Sequence, residues 1–185
     1  MSPAKYPYLC LALAVLVGDQ ITKWQVEARL VGEAPREVIP GLLNFVYVRN
    51  TGVAFGLFPS NGELWSTMVL TLLGLGALTI VAVYFWRTPA TERLLLTSLG
   101  LILGGAVGNL ADRILQGGVT DFIDFYFGSY HWHTFNVADS AITIGIVLML
   151  FDVFRSRPGE RATEPRDEPE GPRTDDRGER AAAPG

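Results

Sequence analysis

The sequence predicts a mainly α membrane protein with four transmembrane helices and a small β-structure outside the bilayer. Hydrophobic residues make up 49% of the 185 positions, although the chain ends in a strongly polar segment. Four separate stretches approach the roughly 20 apolar residues that a helix needs to cross a hydrocarbon core of about 30 Å. Between the first two stretches lies a region rich in β-prone residues and turn signals. The net charge of −4 gives no basic excess that would suggest nucleic-acid binding.

The four predicted spans cover residues about 6–28, 64–86, 94–110 and 137–154. They make residues 1–154 a single membrane domain. The first span begins like a signal peptide, but no small-residue cleavage pattern follows its apolar core, so we expect a retained helix. Its single cysteine cannot form an internal disulfide and is expected to be an apolar filler.

The first connection, within residues 29–63, is predicted to form the outer β-structure. Val38–Gly41 is typical of a turn after a short strand, and Leu43–Val48 is rich in β-formers. Asn50–Gly52 is a turn signal, after which Val53–Phe58 returns to apolar residues. We therefore expect a small sheet on the membrane surface.

The second connection, residues 111–136, is predicted to be an aromatic segment at the membrane surface. Aromatic rings favour the headgroup region of a bilayer. The rings are Phe122, Phe125, Tyr126, Phe127, Tyr130, Trp132 and Phe135.

The tail, residues 155–185, is predicted to be disordered. It holds five Pro, four Gly and no aromatic residue, so it cannot bury enough surface to fold.

Arginine and lysine near the span ends predict the orientation, since cytoplasmic flanks carry the excess of these residues. The flanks predicted to be cytoplasmic contain Lys5, Arg87, Arg93, Arg155 and Arg157. Both termini are then inside, and both long connections are outside the cell membrane.

Several polar groups lie at the predicted outer edge. Asp19 and Lys23 are i,i+4 on one helix face and can pair, which a snorkelling pair at a helix end would also explain. The segment Arg49–Gly56 is equally consistent with a plain hairpin turn and with a site in which the Asn50 amide faces a substrate backbone.

The third span carries a stripe of small residues and a polar end. Gly100, Gly104 and Gly108 are four residues apart, which favours close helix packing. Asn109 and Arg113 share a face, with Asp112 nearby. Such a group is costly at a membrane edge unless it is internally paired or contacts a ligand.

Two carboxylates, Asp121 and Asp139, lie beside neighbouring spans and are candidates for paired acid and base catalysis. Asp124 rivals Asp121, and periodicity does not choose between them. His131 and His133 are a weak metal-ligand pattern, so no metal or cofactor is expected.

Five segments together resemble lipoprotein signal peptidase, also called signal peptidase II. They are Asp19–Lys23, Asn50–Gly56, Gly108–Arg113, Val119–Phe122 and Phe135–Ser140. Each segment alone is weak evidence, but their order on one predicted side of four spans is specific. The resemblance covers about residues 6–154, and none of the five segments departs from the family's pattern.

The resemblance implies a bacterial inner-membrane aspartic endopeptidase with an outer β-cradle and an interfacial helix. Such enzymes remove the signal peptide of a diacylglyceryl-modified prolipoprotein, cleaving before the lipid-modified cysteine. The catalytic pair would be Asp121 and Asp139, which makes Asp124 a bystander. The family further implies inhibition by the cyclic peptide globomycin, and we expect a monomer that contacts membrane lipid.

By the same resemblance, a second set of residues would hold substrate or support the aspartates: Asn50, Gly52, Gly108, Asn109, Arg113 and Asn136. Asp19, Lys23 and Asp112 would brace the outer domain. The competing class is a small four-helix transporter or channel subunit with the aspartates as ion or proton ligands. Ion pathways usually place such groups near the midplane, and the two related halves common in transporters are not evident. A presenilin-type protease would need a Gly-x-Gly-Asp motif, which is missing.

Overall fold

The computed structural model describes residues 3–52 and 63–155. The apolar return predicted for Val53–Phe58 and the tail beyond Arg155 lie outside this range. The four predicted spans are confirmed as helices α1 Tyr6–Leu30, α2 Glu63–Arg87, α3 Arg93–Gln116 and α4 Val137–Arg155. A single 3-10 turn, Pro3–Lys5, precedes α1. The interfacial helix implied by the resemblance has no counterpart among the described residues.

Helix α3 is longer than the sequence predicted, because it continues six residues past Leu110 to Gln116. Asn109 and Asp112 near its end find side-chain partners on α1, which removes the cost of keeping them in the helix. The helix ends at Gly117, whose positive φ of 75° forms a left-handed cap and whose N–H donates to the Arg113 carbonyl. The helix therefore extends beyond the span predicted at about residues 94–110.

Helix α3 is the centre of the bundle and packs against the other three helices. It contains most of the buried helical residues, whereas α2 exposes Leu72, Leu73 and Ile80 by more than 60% each. At the end of α2, Phe85 packs with Leu95, Leu96 and Leu99 in a buried apolar cluster. The exposed apolar faces of the outer helices fit contact with lipid rather than water.

The glycine stripe on α3 packs against α1, as its spacing predicted. A Cβ at Gly100 would lie 2.8 Å from the Tyr8 carbonyl oxygen. A Cβ at Gly104 would lie 2.8 Å from the Val15 Cβ and would also contact the Ala12 carbonyl oxygen. Glycine is therefore required at these positions for α1 and α3 to approach closely.

Gly104→Ala is expected to destabilise the protein by about 1–3 kcal/mol, because the new methyl group has no room between α1 and α3. Gly76→Ala on α2 is the matched control, since a Cβ there meets nothing within 4 Å. It should stabilise by about 0.5–1 kcal/mol through helix propensity. Unfolding midpoints in a denaturing-detergent titration measure both changes, and shifts of the same sign would contradict this account of the stripe.

The outer β-structure is a four-stranded antiparallel sheet. Its strands are β1 Arg36–Ile39, β2 Leu43–Asn50, β3 Val119–Phe127 and β4 Tyr130–His131, in that spatial order. The first two were predicted, with a turn at Gly41 of φ 73°.

Strand β3 and the short β4 were not predicted, because we expected residues 111–136 to be only an aromatic segment at the surface. Pairing of β2 with β3 sets Val48 opposite Asp121 and Asn44 opposite Asp124. This register brings the Asn50 turn alongside Asp121.

Candidate active site

Asp121 lies on β3, where two asparagine amides hold both of its carboxylate oxygens. Asn50 Nδ2 donates to Oδ2 at 2.9 Å, and Asn136 Nδ2 donates to Oδ1 at 2.8 Å. Asn50 is itself fixed by the Gly52 N–H, which donates to Asn50 Oδ1 at 2.9 Å. Gly52 has a φ of +83°, a conformation that favours glycine. Asp121 is only 2% exposed, and both of its carboxylate oxygens have hydrogen-bond partners.

Asp139 lies in the first turn of α4 and forms a reciprocal cap with Asn136. The Asp139 N–H donates to Asn136 Oδ1 at 2.9 Å, and the Asn136 N–H donates to Asp139 Oδ2 at 3.3 Å. This is the geometry by which polar side chains satisfy the free N–H groups of a helix start. Asn109 Nδ2 also donates to Asp139 Oδ1, at 2.7 Å. Unlike Asp121, Asp139 is partly exposed.

Asn136 joins the two aspartates. It is fully buried, and its amide donates to Asp121 and to Asn109 Oδ1, the latter at 3.1 Å, while its oxygen caps Asp139. Two residues that are 18 positions apart in sequence therefore share one amide network. A buried network of this kind orients its members tightly when every group has a partner.

Burial raises the pKa of Asp121 from its usual 3.8 to about 6. The hydrogen bond from Asn50 opposes this rise, whereas the nearby negative charge of Asp139 adds to it. A carboxyl group with a pKa in this range can hold a proton close to neutral pH. The pair can therefore consist of one ionised and one protonated member.

Arg113 lies one turn beyond Asn109 on α3 and donates from Nη1 to the Asn109 carbonyl at 3.2 Å. It forms no salt bridge with another described residue. Its remaining N–H groups are thus available to a ligand beside the aspartates.

A buried ion cluster supports the asparagines from behind. Lys23 Nζ lies 2.8 Å from both Asp19 Oδ2 and Asp112 Oδ2, and all three side chains are at most 3% exposed. The same ammonium group donates to Asn109 Oδ1 at 3.0 Å. This third interaction of the Lys23 ammonium group therefore fixes the Asn109 side-chain amide, which also donates to Asp139.

This cluster also connects α1 to α4 and to the sheet. Asp19 Oδ1 accepts the Ala138 N–H at 2.9 Å, and Asp112 Oδ2 accepts the Thr120 N–H at 3.3 Å. Gly108 permits the approach, because a Cβ there would lie 2.6 Å from Asp19 Oδ2.

Asp124 points elsewhere. Its oxygens contact His131 Nδ1 at 2.9 and 3.0 Å, and Oδ2 accepts from Asn44 at 3.3 Å. None of the hydrogen bonds described around Asp121 and Asp139 involves Asp124. Asp124, which residue spacing alone could not exclude as the partner of Asp139, therefore lies outside the hydrogen-bond network of Asp121 and Asp139.

Two contributors to the network were not assigned roles from the sequence. The Gln20 amide donates to Asp112 Oδ1 at 2.9 Å, and the Thr120 carbonyl accepts from Asn136 at 3.4 Å. Both occur within the five segments that carry the family resemblance. The sequence signal for these two roles was that Gln20 directly follows Asp19 and that Thr120 directly precedes Asp121.

A cleft of about 220 Å³ opens beside Asp121. It is lined by Val48, Asn50, Thr51, Asp121 and Thr134, together with Arg49 and His133. Asp121 and its hydrogen-bond partner Asn50 thus lie in the wall of an open cleft at the edge of the sheet.

The chain resembles known proteins over nearly all of its described length. A family model described as signal peptidase (SPase) II matches residues 11–155. A lipoprotein signal peptidase of Solibacter usitatus is 42% identical over 147 residues, covering 80% of this chain and 90% of its relative. One from Burkholderia thailandensis is 42% identical over 155 residues, covering 84% and 92%.

Solved structures show the same likeness. A bacterial membrane enzyme solved by the in meso method at 1.9 Å resolution matches with a TM-score of 0.67 and 33% identity, covering 81% of this chain and 94% of the other. A second, solved at 2.3 Å by the same method, matches with a TM-score of 0.63 and 31% identity, covering 89% and 94%.

Proposed function

This chain belongs to the signal peptidase II family and cleaves lipoprotein signal peptides in a bacterial membrane, and we propose that it does so as an aspartic endopeptidase using Asp121 and Asp139. The observation that carries this proposal is the amide network, in which Asn136 contacts both carboxyl groups. Family membership disfavours the transporter or channel alternative.

In the proposed reaction, Asp121 holds the shared proton and Asp139 is ionised. Asp139 removes a proton from a water molecule, which attacks the scissile carbonyl carbon. Asp121 donates a hydrogen bond to the carbonyl oxygen and stabilises the negative charge that develops there. Collapse of the intermediate breaks the peptide bond, and Asp139 returns its proton to the leaving amine.

The roles of the neighbouring residues follow from their contacts. Asn50, Asn109 and Asn136 orient the two carboxyl groups, and Arg113, which has no ion-pair partner within the described residues, would hold a substrate carbonyl. Gly52 adopts the positive φ from which its N–H holds Asn50, and Gly108 allows the close approach of Asp19. Asp19, Lys23 and Asp112 brace the site through Asn109.

The substrate is proposed to be a diacylglyceryl-modified prolipoprotein, cut just before the lipid-modified cysteine. Its acyl chains would enter from the bilayer along the exposed apolar faces of the helices. The decisive experiment incubates the purified protein with such a prolipoprotein and measures product masses. Cleavage at any other bond, or equal cleavage of the unlipidated precursor, would contradict the assignment.

The pH dependence should report the proton on Asp121. Because its pKa is raised to about 6, the free enzyme loses this proton as pH rises through that value. The protonated member of the pair then disappears, so kcat/KM should fall about tenfold per pH unit above pH 6. Profiles between pH 5 and 8 test this, with Asp124→Asn expected to keep the same midpoint. A flat profile over this range would reject Asp121 as the proton holder.

We also propose that both termini are cytoplasmic and that the active site faces the outer leaflet. The support is the excess of arginine and lysine at one set of helix ends. Reporter fusions after Trp86 and Arg157 should read cytoplasmic, and fusions at Asn61 and Ser129 should read external. An external signal at Arg157 would overturn this orientation.

A further inference from the structure

A second, larger cavity of about 520 Å³ lies between the end of α1 and the sheet. Val26, Phe45 and Phe122 form its apolar part, and all three are buried or half-buried. Phe122 lines this cavity, whereas its neighbour Asp121 lines the cleft described above. Since successive strand residues point to opposite faces, the cavity lies behind the sheet from the proposed catalytic pair.

The rim of this cavity is positively charged. Arg29 and Arg36 line it, both are exposed, and neither forms a salt bridge within residues 3–52 and 63–155. Glu37 also lines the cavity, but its Oε1 already accepts hydrogen bonds from the Tyr126 hydroxyl at 2.6 Å and the Gly41 N–H at 3.3 Å. These donors are neutral, so Glu37 keeps its charge, and the rim presents two guanidinium groups against one carboxylate whose Oε1 is already hydrogen-bonded.

The cavity lies at the depth of lipid headgroups. The 25 residues of α1 extend about 37 Å, longer than a hydrocarbon core of about 30 Å, so Arg29 near its end reaches the headgroup region. Trp24 is 68% exposed five residues earlier, where aromatic rings mark the interface. Val31 and Val38 near the rim are 56% and 44% exposed, and such surface suits acyl chains better than water.

We propose that this cavity binds a phospholipid through its phosphate group, which Arg29 and Arg36 clamp, while the start of its acyl chains covers Val26, Phe45 and Phe122. Arginine presents its donors in a fork that matches phosphate oxygens. The bound lipid would hold β1 and the end of α1 together. The diacylglyceryl group of a prolipoprotein has no phosphate, so this lipid is distinct from the substrate.

The test titrates the purified full-length protein in non-ionic detergent with dioctanoyl phosphatidylglycerol and counts bound lipid by native mass spectrometry. The double variant Arg29→Gln/Arg36→Gln should bind at least tenfold more weakly than the parent. Arg87→Gln, which removes an exposed arginine at the other end of the bundle, should bind like the parent. Dioctanoylglycerol, which lacks the phosphate, should bind at least tenfold more weakly to the parent.

Equal lipid binding by the parent and the double variant would overturn the proposal. So would equal binding of dioctanoylglycerol, which would make the site merely apolar. Displacement of the lipid by an equal concentration of inorganic phosphate would assign the arginines to a free anion instead. Because both side chains are exposed, the lipid-free variants should unfold at the parent's midpoint, which separates loss of binding from loss of fold.

Discussion

Replacing either Asp121 or Asp139 by Asn is expected to lower the rate of prolipoprotein cleavage by at least about 1,000-fold. The exchange keeps the size of the side chain but removes the proton exchange that the pair supplies. Each variant should still fold, because the amide has the shape of the carboxyl group and its remaining oxygen still accepts a hydrogen bond, so at most the bond to the replaced oxygen is lost. Single-turnover cleavage of a lipid-modified prolipoprotein, followed by product mass, measures the loss.

The double variant Asp121→Asn/Asp139→Asn should be no slower than either single variant, since residues that act as a unit are not additive. Asp124→Asn is the matched control, because it makes the same change three residues away on the same strand. It should retain activity within about threefold of the parent, corresponding to well under 1.4 kcal/mol. A dead Asp124→Asn beside an active Asp121→Asn would show that the wrong aspartate had been chosen.

Lys23→Met is expected to lower the free energy of unfolding by about 3–5 kcal/mol, the largest stability effect that the structure predicts. The substitution leaves Asp19 and Asp112 buried without their shared cation. It also removes the donor to Asn109 Oδ1, so remaining activity should fall as well. Denaturing-detergent titration gives the change in stability.

Two comparisons separate the loss of charge balance from the loss of a long side chain. Adding Asp112→Asn to Lys23→Met should recover part of the stability, because one uncompensated anion is then gone. Arg87→Met, at an exposed position, should change stability by less than about 0.5 kcal/mol. If Asp112→Asn only adds to the damage, the cluster is not held together by its charge balance.

The helices could be predicted from sequence because a long apolar run has few alternatives in a protein of this composition. The end of α3 could not. Asn109 and Asp112 have low helix propensity, and the cost of burying their polar side chains is removed by Lys23 on α1, which lies at least 86 positions earlier in the chain. Sequence patterns contain no information about such distant partners.

Strand β3 was missed for a related reason. Its residues are β-prone, but Asp121 and Asp124 interrupt the aromatic run. Because these two aspartates are three residues apart, they do not fall on one face of a strand, and the polar and apolar residues do not alternate regularly. The irregular register of β2 between Phe45 and Val48 then fixes which aspartate meets Asn50. From the residues alone the choice between Asp121 and Asp124 was open, and only the family resemblance favoured Asp121. Their roles in catalysis remain predictions.

The buried ion cluster has a consequence for the biogenesis of this protein. Asp19 and Lys23 are one turn apart on α1, and Asp112 is adjacent to Arg113 on α3. Helix α1 therefore presents no net charge at this depth to the insertion machinery, whereas Asp112 on α3 takes its counterion, Lys23, from α1. Helix α1 is synthesised first, and its aspartate already has a counterion before any other helix exists. Helix α1 can therefore enter the bilayer before α3, and Lys23 is then already in place to pair with Asp112 when α3 follows.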